Sequence, residues 1–277
     1  TSVPVPPPGA TPRLAILFAG QLVFAVLTTC TNVAWLLPVL ARLRFEAGDW
    51  QTTLVTAAVP TFLVVSIFWN ELLQRVSLRR YLLIYWLVAI VPLGTIALAQ
   101  NYWHLLGLHI LGCIGAAGWT PAYGKLLQRF YPDHVRGRVF AALNVAQLVA
   151  TMAVAFTFGR WLEQNGEAFR VYLPVAAAGQ ALGMVLLLRL ARYAGADERP
   201  ARVGPLDWAA LVRPVLHMGA VLREDRVFRR YEQAFMTYGA AFMLCEALLP
   251  VLAPTRLGMG YHEYGMATRM AMAGATL

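Results

Sequence analysis

Apolar side chains in this chain come in long, nearly unbroken runs, separated by short polar segments that carry most of the arginines. The runs show neither the two-residue alternation of a half-buried strand nor the narrow apolar stripe of a soluble helix. Several reach the roughly 20 residues that carry a helix across a bilayer. They predict spans at 14–40, 51–73, 81–99, 103–125, 138–160 and 171–190, a seventh at 231–253 and an eighth beginning at 261. In hydrocarbon only helices or closed barrels satisfy their own backbone, and runs of this length are helices. The expected fold is therefore all-α: a polytopic membrane helical bundle of about seven to eight transmembrane helices. Pro60, Pro92, Pro121 and Pro174 fall inside or near the ends of these spans. Membrane helices tolerate proline where neighbours re-satisfy the freed carbonyls.

Composition agrees. Of 277 residues, 59% are hydrophobic and 13% charged, against about 25% charged in an ordinary soluble domain. A soluble fold of this length could not hide so much apolar surface. The net charge of +9 does not indicate a nucleic-acid partner. The bases lie in short loops between apolar runs rather than on one basic face. Cys30, Cys113 and Cys245 all lie inside apolar runs. They read as small buried hydrophobes, with no disulfide framework and no zinc spacing. The first thirteen residues hold five prolines and no apolar core. They are expected to be disordered and are not a signal peptide.

Charge then orients the bundle. Arg13, the loop with Arg75, Arg79 and Arg80, the loop with Lys125, Arg129, Arg136 and Arg138, and the long segment after span six together hold 17 basic residues, against 5 in the alternate loops. Without the long segment the count is 8 against 5. Basic residues stay cytoplasmic during insertion, and long loops obey that rule weakly. The N-terminus is thus expected in the cytoplasm, in a bacterial inner membrane. Within the long segment, 207–222 has an amphipathic pattern interrupted by Pro214. It suits either the membrane interface or a short helix packed under the bundle.

The hexapeptide "LLPVLA" occurs twice, at Leu36–Ala41 and Leu248–Ala253, each at the end of a span before a short loop. Six spans lie in the 212-residue offset. A six-span unit followed by the start of a second copy is the plan of a transporter built from two halves. The expected organisation is 1–13 disordered, 14–190 a six-helix half, 191–230 a cytoplasmic linker, and 231–277 the incomplete start of a second half.

At this point the sequence resembles the major facilitator superfamily. The family's loop between its second and third helices reads Gly-x-Leu-x-Asp-Arg-x-Gly-x-Arg-Arg; here it is "NELLQRVSLRR", Asn70 to Arg80. Arg75, Arg79 and Arg80 match, while Asn70, Gln74 and Ser77 replace the first glycine, the aspartate and the second glycine. "YPDHVRGRVFAALN", Tyr131 to Asn144, is similar to the family's Pro-x-x-x-Arg-Gly-Arg lead into helix five. The proline-glycine pattern of drug–proton antiporters is poorly met in that helix. The resemblance implies alternating access by a secondary active transporter of a small solute, coupled to a proton or another ion. It also implies a conformational latch formed by Glu71, Gln74, Arg75, Arg79, Arg80, Arg136 and Arg138. Gln74 carries no charge, and Glu71 would substitute by facing Arg136 or Arg138. The alternative is plain topogenic arginine in contact with lipid phosphates.

Polar residues within spans face the bundle or water. In span one Gln21, Thr28, Asn32 and Trp35 share a narrow helical sector. That stripe suits a cavity wall or interhelical hydrogen bonds. His109 and Cys113 share a face of span four, where a packed histidine is the alternative to a solute contact. Two such residues make no metal site, and none is expected. Asn144, Gln147 and Thr151 share a face of span five. Glu246 is the one acid well inside a span; it suits a coupling proton, a cationic solute group, or a hydrogen-bonded carboxyl near the helix end. Tyr238 is placed to share its face. No nucleophile elbow, P-loop, redox motif or HExxH is present, so neither an enzyme nor a cofactor is expected. Expected partners are membrane lipids and a small-molecule solute. The rival reading is a transporter-like protein that no longer transports. It would be a structural subunit or assembly factor of a larger, perhaps photosynthetic, membrane complex with other membrane proteins as partners.

Overall fold

The computed structural model describes residues 10–29, 36–194 and 219–276, with Val212 and Leu216, and no strand occurs among the described residues. Span one is α1 (Ala10–Thr29), followed by the short α2 (Leu37–Arg44). Span two is a bent pair, α3 (Asp49–Leu63) and α4 (Ser66–Arg75), at 43° to each other. Pro60, one turn before the break, donates nothing to the helix and crowds the preceding carbonyl. Span three joins α5 (Leu78–Tyr85) to α6 (Val91–Thr95) through a π-helical turn, Trp86–Ile90, placed just before Pro92. Span four is α7 (Tyr102–Ala116) and α8 (Trp119–Phe130), and spans five and six are α9 (Asp133–Gln164) and α10 (Phe169–Tyr193). Span seven is α11 (Arg226–Arg256), and α12 (Tyr261–Thr276) begins span eight. Six of these helices are long and apolar enough to cross a bilayer, and the bent pair makes a seventh.

The helical bundle is as the apolar runs predict, with three local corrections. The first helix includes Ala10, inside the stretch expected to be disordered. Pro12 is tolerated because the first turn leaves its N–H groups unpaired anyway. Span one is described as far as Thr29, residues 30–35 lie outside the described residues, and the "LLPVLA" copy beyond them is helical from Leu37. The linker expected to reach 230 stops at Asp225, whose carboxylate accepts from the Val227 and Phe228 N–H groups at 2.9 Å. That cap makes residues 226–230 the first turn of span seven. Cys245 is exposed, whereas Cys113 is buried as expected. Most of the amphipathic 207–222 stretch lies outside the described residues, as do Cys30 and residues 1–9.

Two apolar clusters hold the bundle. One packs Leu17, Tyr81, Leu126, Leu143 and Leu187 from spans one, three, four, five and six. The other packs Leu36, Leu40, Ile96, Leu105, Phe158 and Phe169, and takes in Ala253, Tyr261 and Tyr264 from spans seven and eight. Both hexapeptide copies therefore sit at the same end of the molecule. Leu87, Val149, Val175 and Leu182 are more than half exposed. Outward apolar surface on this scale is costly in water and is matched by lipid.

The arginines divide between the two ends. At one, Arg13 donates to the Tyr193 carbonyl at the C-terminus of span six, at 3.2 Å. At the other, Glu167 pairs with both Arg44 and Arg170. Arg170 also donates to the carbonyls of Ala97 (2.8 Å) and Ala99 (3.2 Å). One carboxylate thus joins the loop after α2, the end of span three and the start of span six. Hydrogen bonds from Arg170, then from Arg44, hold the Glu167 carboxyl below its ordinary value of 4.5. A depressed carboxylate stabilises the fold above its unfolded pKa, and that contribution fades as pH falls through the folded value. Lowering the pH below about 4.5 should reduce the melting temperature of the detergent-solubilised protein. Glu167→Gln should flatten that acid limb while costing on the order of 1 kcal/mol or less at neutral pH, because the group is largely exposed.

Candidate functional site

The inner faces of the six spans in the first half leave a cavity of about 430 Å³. Residues from both apolar clusters border it. Its wall includes Thr28 and Thr29 from span one, His109 and Cys113 from span four, Gln147 and Thr151 from span five, and Gln180 from span six. Trp119 and Tyr85 supply an aromatic side, their ring centroids 5.7 Å apart, and Trp119 also stacks on Tyr123 at 5.5 Å. No lysine, arginine, aspartate or glutamate is among the described lining residues.

The polar groups fall into two kinds. Some are already committed. Thr29 donates its hydroxyl to the Ala25 carbonyl at 2.8 Å, and Thr151 donates to the Gln147 carbonyl at 2.7 Å. These back-bonds spend the donor and leave the hydroxyl oxygens as acceptors. His109 is buried, and its Nε2 lies 2.9 Å from the Val55 carbonyl. A ring nitrogen meeting a carbonyl must be the N–H, so in a neutral imidazole Nδ1 is left as an acceptor. Cys113 Sγ lies 3.6–3.8 Å from the two ring nitrogens. Gln180 is different. It is 3% exposed, it faces the cavity, and its Oε1 has no hydrogen-bond partner among the described residues.

The sequence candidates divide accordingly. Thr28, His109 and Gln147 come together in the cavity wall. Gln21 is buried but does not line it. Asn32 and Trp35 lie outside the described residues. Asn144 is exposed. Glu246 is half-buried and away from this cavity; its charge acts instead on Tyr264 and Arg269 of α12, both buried. Tyr238 is largely exposed. Sequence reading passed over Gln180 and Arg269 as site residues. The signal for Gln180 was present, a lone carboxamide in the middle of an apolar span.

In the loop after span two, Glu71 is buried and pairs with Arg75 one turn later at 2.9 Å. Arg136 meets Asp133 of its own helix and donates to the Tyr131 carbonyl at 3.3 Å. Gln74 is half-buried, whereas Arg79, Arg80 and Arg138 are exposed. Ser77, which stands where the resemblance would place glycine, has φ −62° and caps α5. That conformation is open to any residue, so the position needs no glycine.

At the opposite end α12 packs against span five. Glu163 near the end of span five accepts from the His262 N–H of α12 at 2.9 Å. The rings of Phe156 and His262 lie 5.1 Å apart. α11 packs against α2 and α3. By contrast Val227, Tyr231, Phe235 and Tyr238, on the other half of α11, are 58–79% exposed.

The sequence profile of the Major Facilitator Superfamily matches residues 14–277. The chain belongs to that superfamily. No curated protein matches it by sequence. Solved structures share the fold. A POT family transporter in complex with a thioalcohol-conjugated peptide aligns with TM-score 0.68 at 13% identity, over 94% of this chain and 67% of that one. A POT family transporter in complex with 5-aminolevulinic acid gives 0.57 at 15% identity, over 88% and 52%. A bacterial homologue of the human lysosomal transporter Spinster, inward-facing and unoccupied, gives 0.53 at 15% identity, over 96% and 60%. The Major Facilitator chain described here thus spans about half to two thirds of the length of these proteins.

Proposed function

We propose that this Major Facilitator protein is a secondary active transporter that carries a small solute by alternating access. In this reading 14–190 is one half of the rocking pair, 231–277 begins the other, and an ion or proton gradient drives the cycle. The membrane is the bacterial inner membrane, with the arginine-rich end, and so the N-terminus, cytoplasmic. The observation that carries the reading is the cavity where polar groups of four spans converge inside an apolar bundle. Such sites are costly to maintain and mark solute pathways. The contacts of Glu163 and Phe156 with α12 then form a closed outer gate, while the cytoplasmic turns of α11 stand apart.

Alternating access requires that gate to open. Cysteines replacing Phe156 and His262, with Cys30, Cys113 and Cys245 changed to alanine, should be bridged by a short bifunctional thiol reagent. In proteoliposomes the bridged protein should lose solute exchange, and a cleavable reagent should restore it on reduction. Exchange unaffected by bridging would refute the gate.

One observation favours a non-transporting subunit instead. Gln74, which carries no charge, stands where the family pattern has the loop acid. A subunit would purify in fixed ratio with other membrane proteins and exchange no solute with either thiol state.

A further inference from the structure

The cavity has a definite hydrogen-bonding character. Every lining hydroxyl with a stated partner gives its proton to its own helix, as Thr29 and Thr151 do. His109 directs its N–H at Val55. What these groups leave for a ligand is acceptors: the Thr29 and Thr151 oxygens and, above all, the Gln180 carboxamide oxygen, which has no partner among the described residues. Burying an amide oxygen without a partner costs about 1–3 kcal/mol. At 3% exposure Gln180 bears that cost unless something in the cavity donates to it. Among the described residues the wall holds no lysine, arginine, aspartate or glutamate. A carboxylate ligand would meet acceptors and no cation. An ammonium would meet no anion to offset its desolvation. The aromatic side formed by Trp119 and Tyr85 suits a flat or apolar body. A cavity of about 430 Å³ lies within the range of small-molecule sites.

We propose that this cavity selects an uncharged solute with an apolar body and at least one N–H or O–H donor, and that Gln180 Oε1 receives that donor. The proposal rests on the transporter reading only for the ligand's identity as cargo; the site itself is testable by binding. Matched probes share one phenylpropyl body: 3-phenylpropanamide (neutral donor), 3-phenylpropanoate (anion), 3-phenylpropylammonium (cation) and propylbenzene (no donor). Binding to the full-length protein in nanodiscs is measured by calorimetry at neutral pH.

The amide should bind at least about tenfold more tightly than either ion, the difference of one unmatched charge or polar group. Gln180→Leu should cut amide affinity about 5- to 30-fold while leaving propylbenzene unchanged. Gln180→Glu should shift preference to the ammonium, a gain that a merely destabilised variant could not show. Equal or tighter binding of an ion to the native protein would overturn the proposal. So would no binding of the amide, or amide binding indifferent to both Gln180 variants. Amide binding without exchange in proteoliposomes would leave this site standing and remove the transporter reading. Exchange of a charged solute alone would do the reverse.

Discussion

Gly115→Val should leave the protein unable to reach its native melting temperature, and Gly115→Ala should already lower it sharply. A Cβ built on Gly115 would lie 2.4 Å from the Ala89 nitrogen, 2.5 Å from its Cα and 2.5 Å from the Val88 carbonyl carbon. All three are backbone atoms of the π-helical turn in span three, so no side chain can rotate away. Span four must then move off span three, opening the wall of the cavity beside Ala89, Gly112 and Cys113. Overpacking costs typically 1–3 kcal/mol, and the upper end applies where the obstacle is main chain. In a bilayer close backbone approach also supplies much of the helix–helix attraction, so the loss is twofold. Gly107 and Gly124, in the same span, have nothing within 4 Å of such a Cβ. Alanine at either should be nearly silent. Thermal denaturation of the three variants in detergent decides it: equal melting points for Gly107→Ala and Gly115→Ala would show that spans three and four do not pack this way.

The same contact shows where sequence reading succeeds and where it stops. Apolar runs of twenty residues have one stable answer in lipid, so the spans could be read directly. The duplicate hexapeptide was legible for the same reason: Leu36–Ala41 and Leu248–Ala253 recur at one structural level, and both enter the same apolar cluster. Glycines at 112, 115 and 118 announced a close approach, but not which helix approaches. That depends on the π turn before Pro92, a local choice made by tertiary packing. The division of the polar stripe in span one was also out of reach. Gln21 and Thr28 sit two turns apart on one sector, yet only Thr28 meets the cavity, while Gln21 is buried away from it. A helical wheel gives the angle of a side chain and says nothing of the depth at which a neighbouring helix peels away. The pairing of Glu71 with Arg75 could have been read from spacing alone, because a residue at i+4 on the same helix is within reach without tertiary geometry.

Glu246→Gln should abolish the response of transport to an imposed pH gradient while leaving energy-independent exchange in place. The described cavity wall has no carboxylate, so on the proposed proton-coupled reading the proton is carried elsewhere. Glu246 is the acid whose charge reaches Arg269 and Tyr264 on the neighbouring helix. Arg269 is 9% exposed, and a guanidinium at that depth is tolerated only with a compensating charge and hydrogen bonds. On the proposed reading, the link between Glu246 and α12 ties the charge on span seven to the position of span eight, which carries His262 of the proposed gate. Glutamine keeps the shape and removes the charge. Arg269 is buried and loses that compensating charge, so the single variant should also be less stable. Glu246→Gln combined with Arg269→Gln should recover most of that stability, since neither partner is then left charged. It should not recover gradient-driven uptake. That divergence separates a coupling role from a structural one: if the double variant accumulates solute against a gradient like the native protein, the pair only holds two helices together.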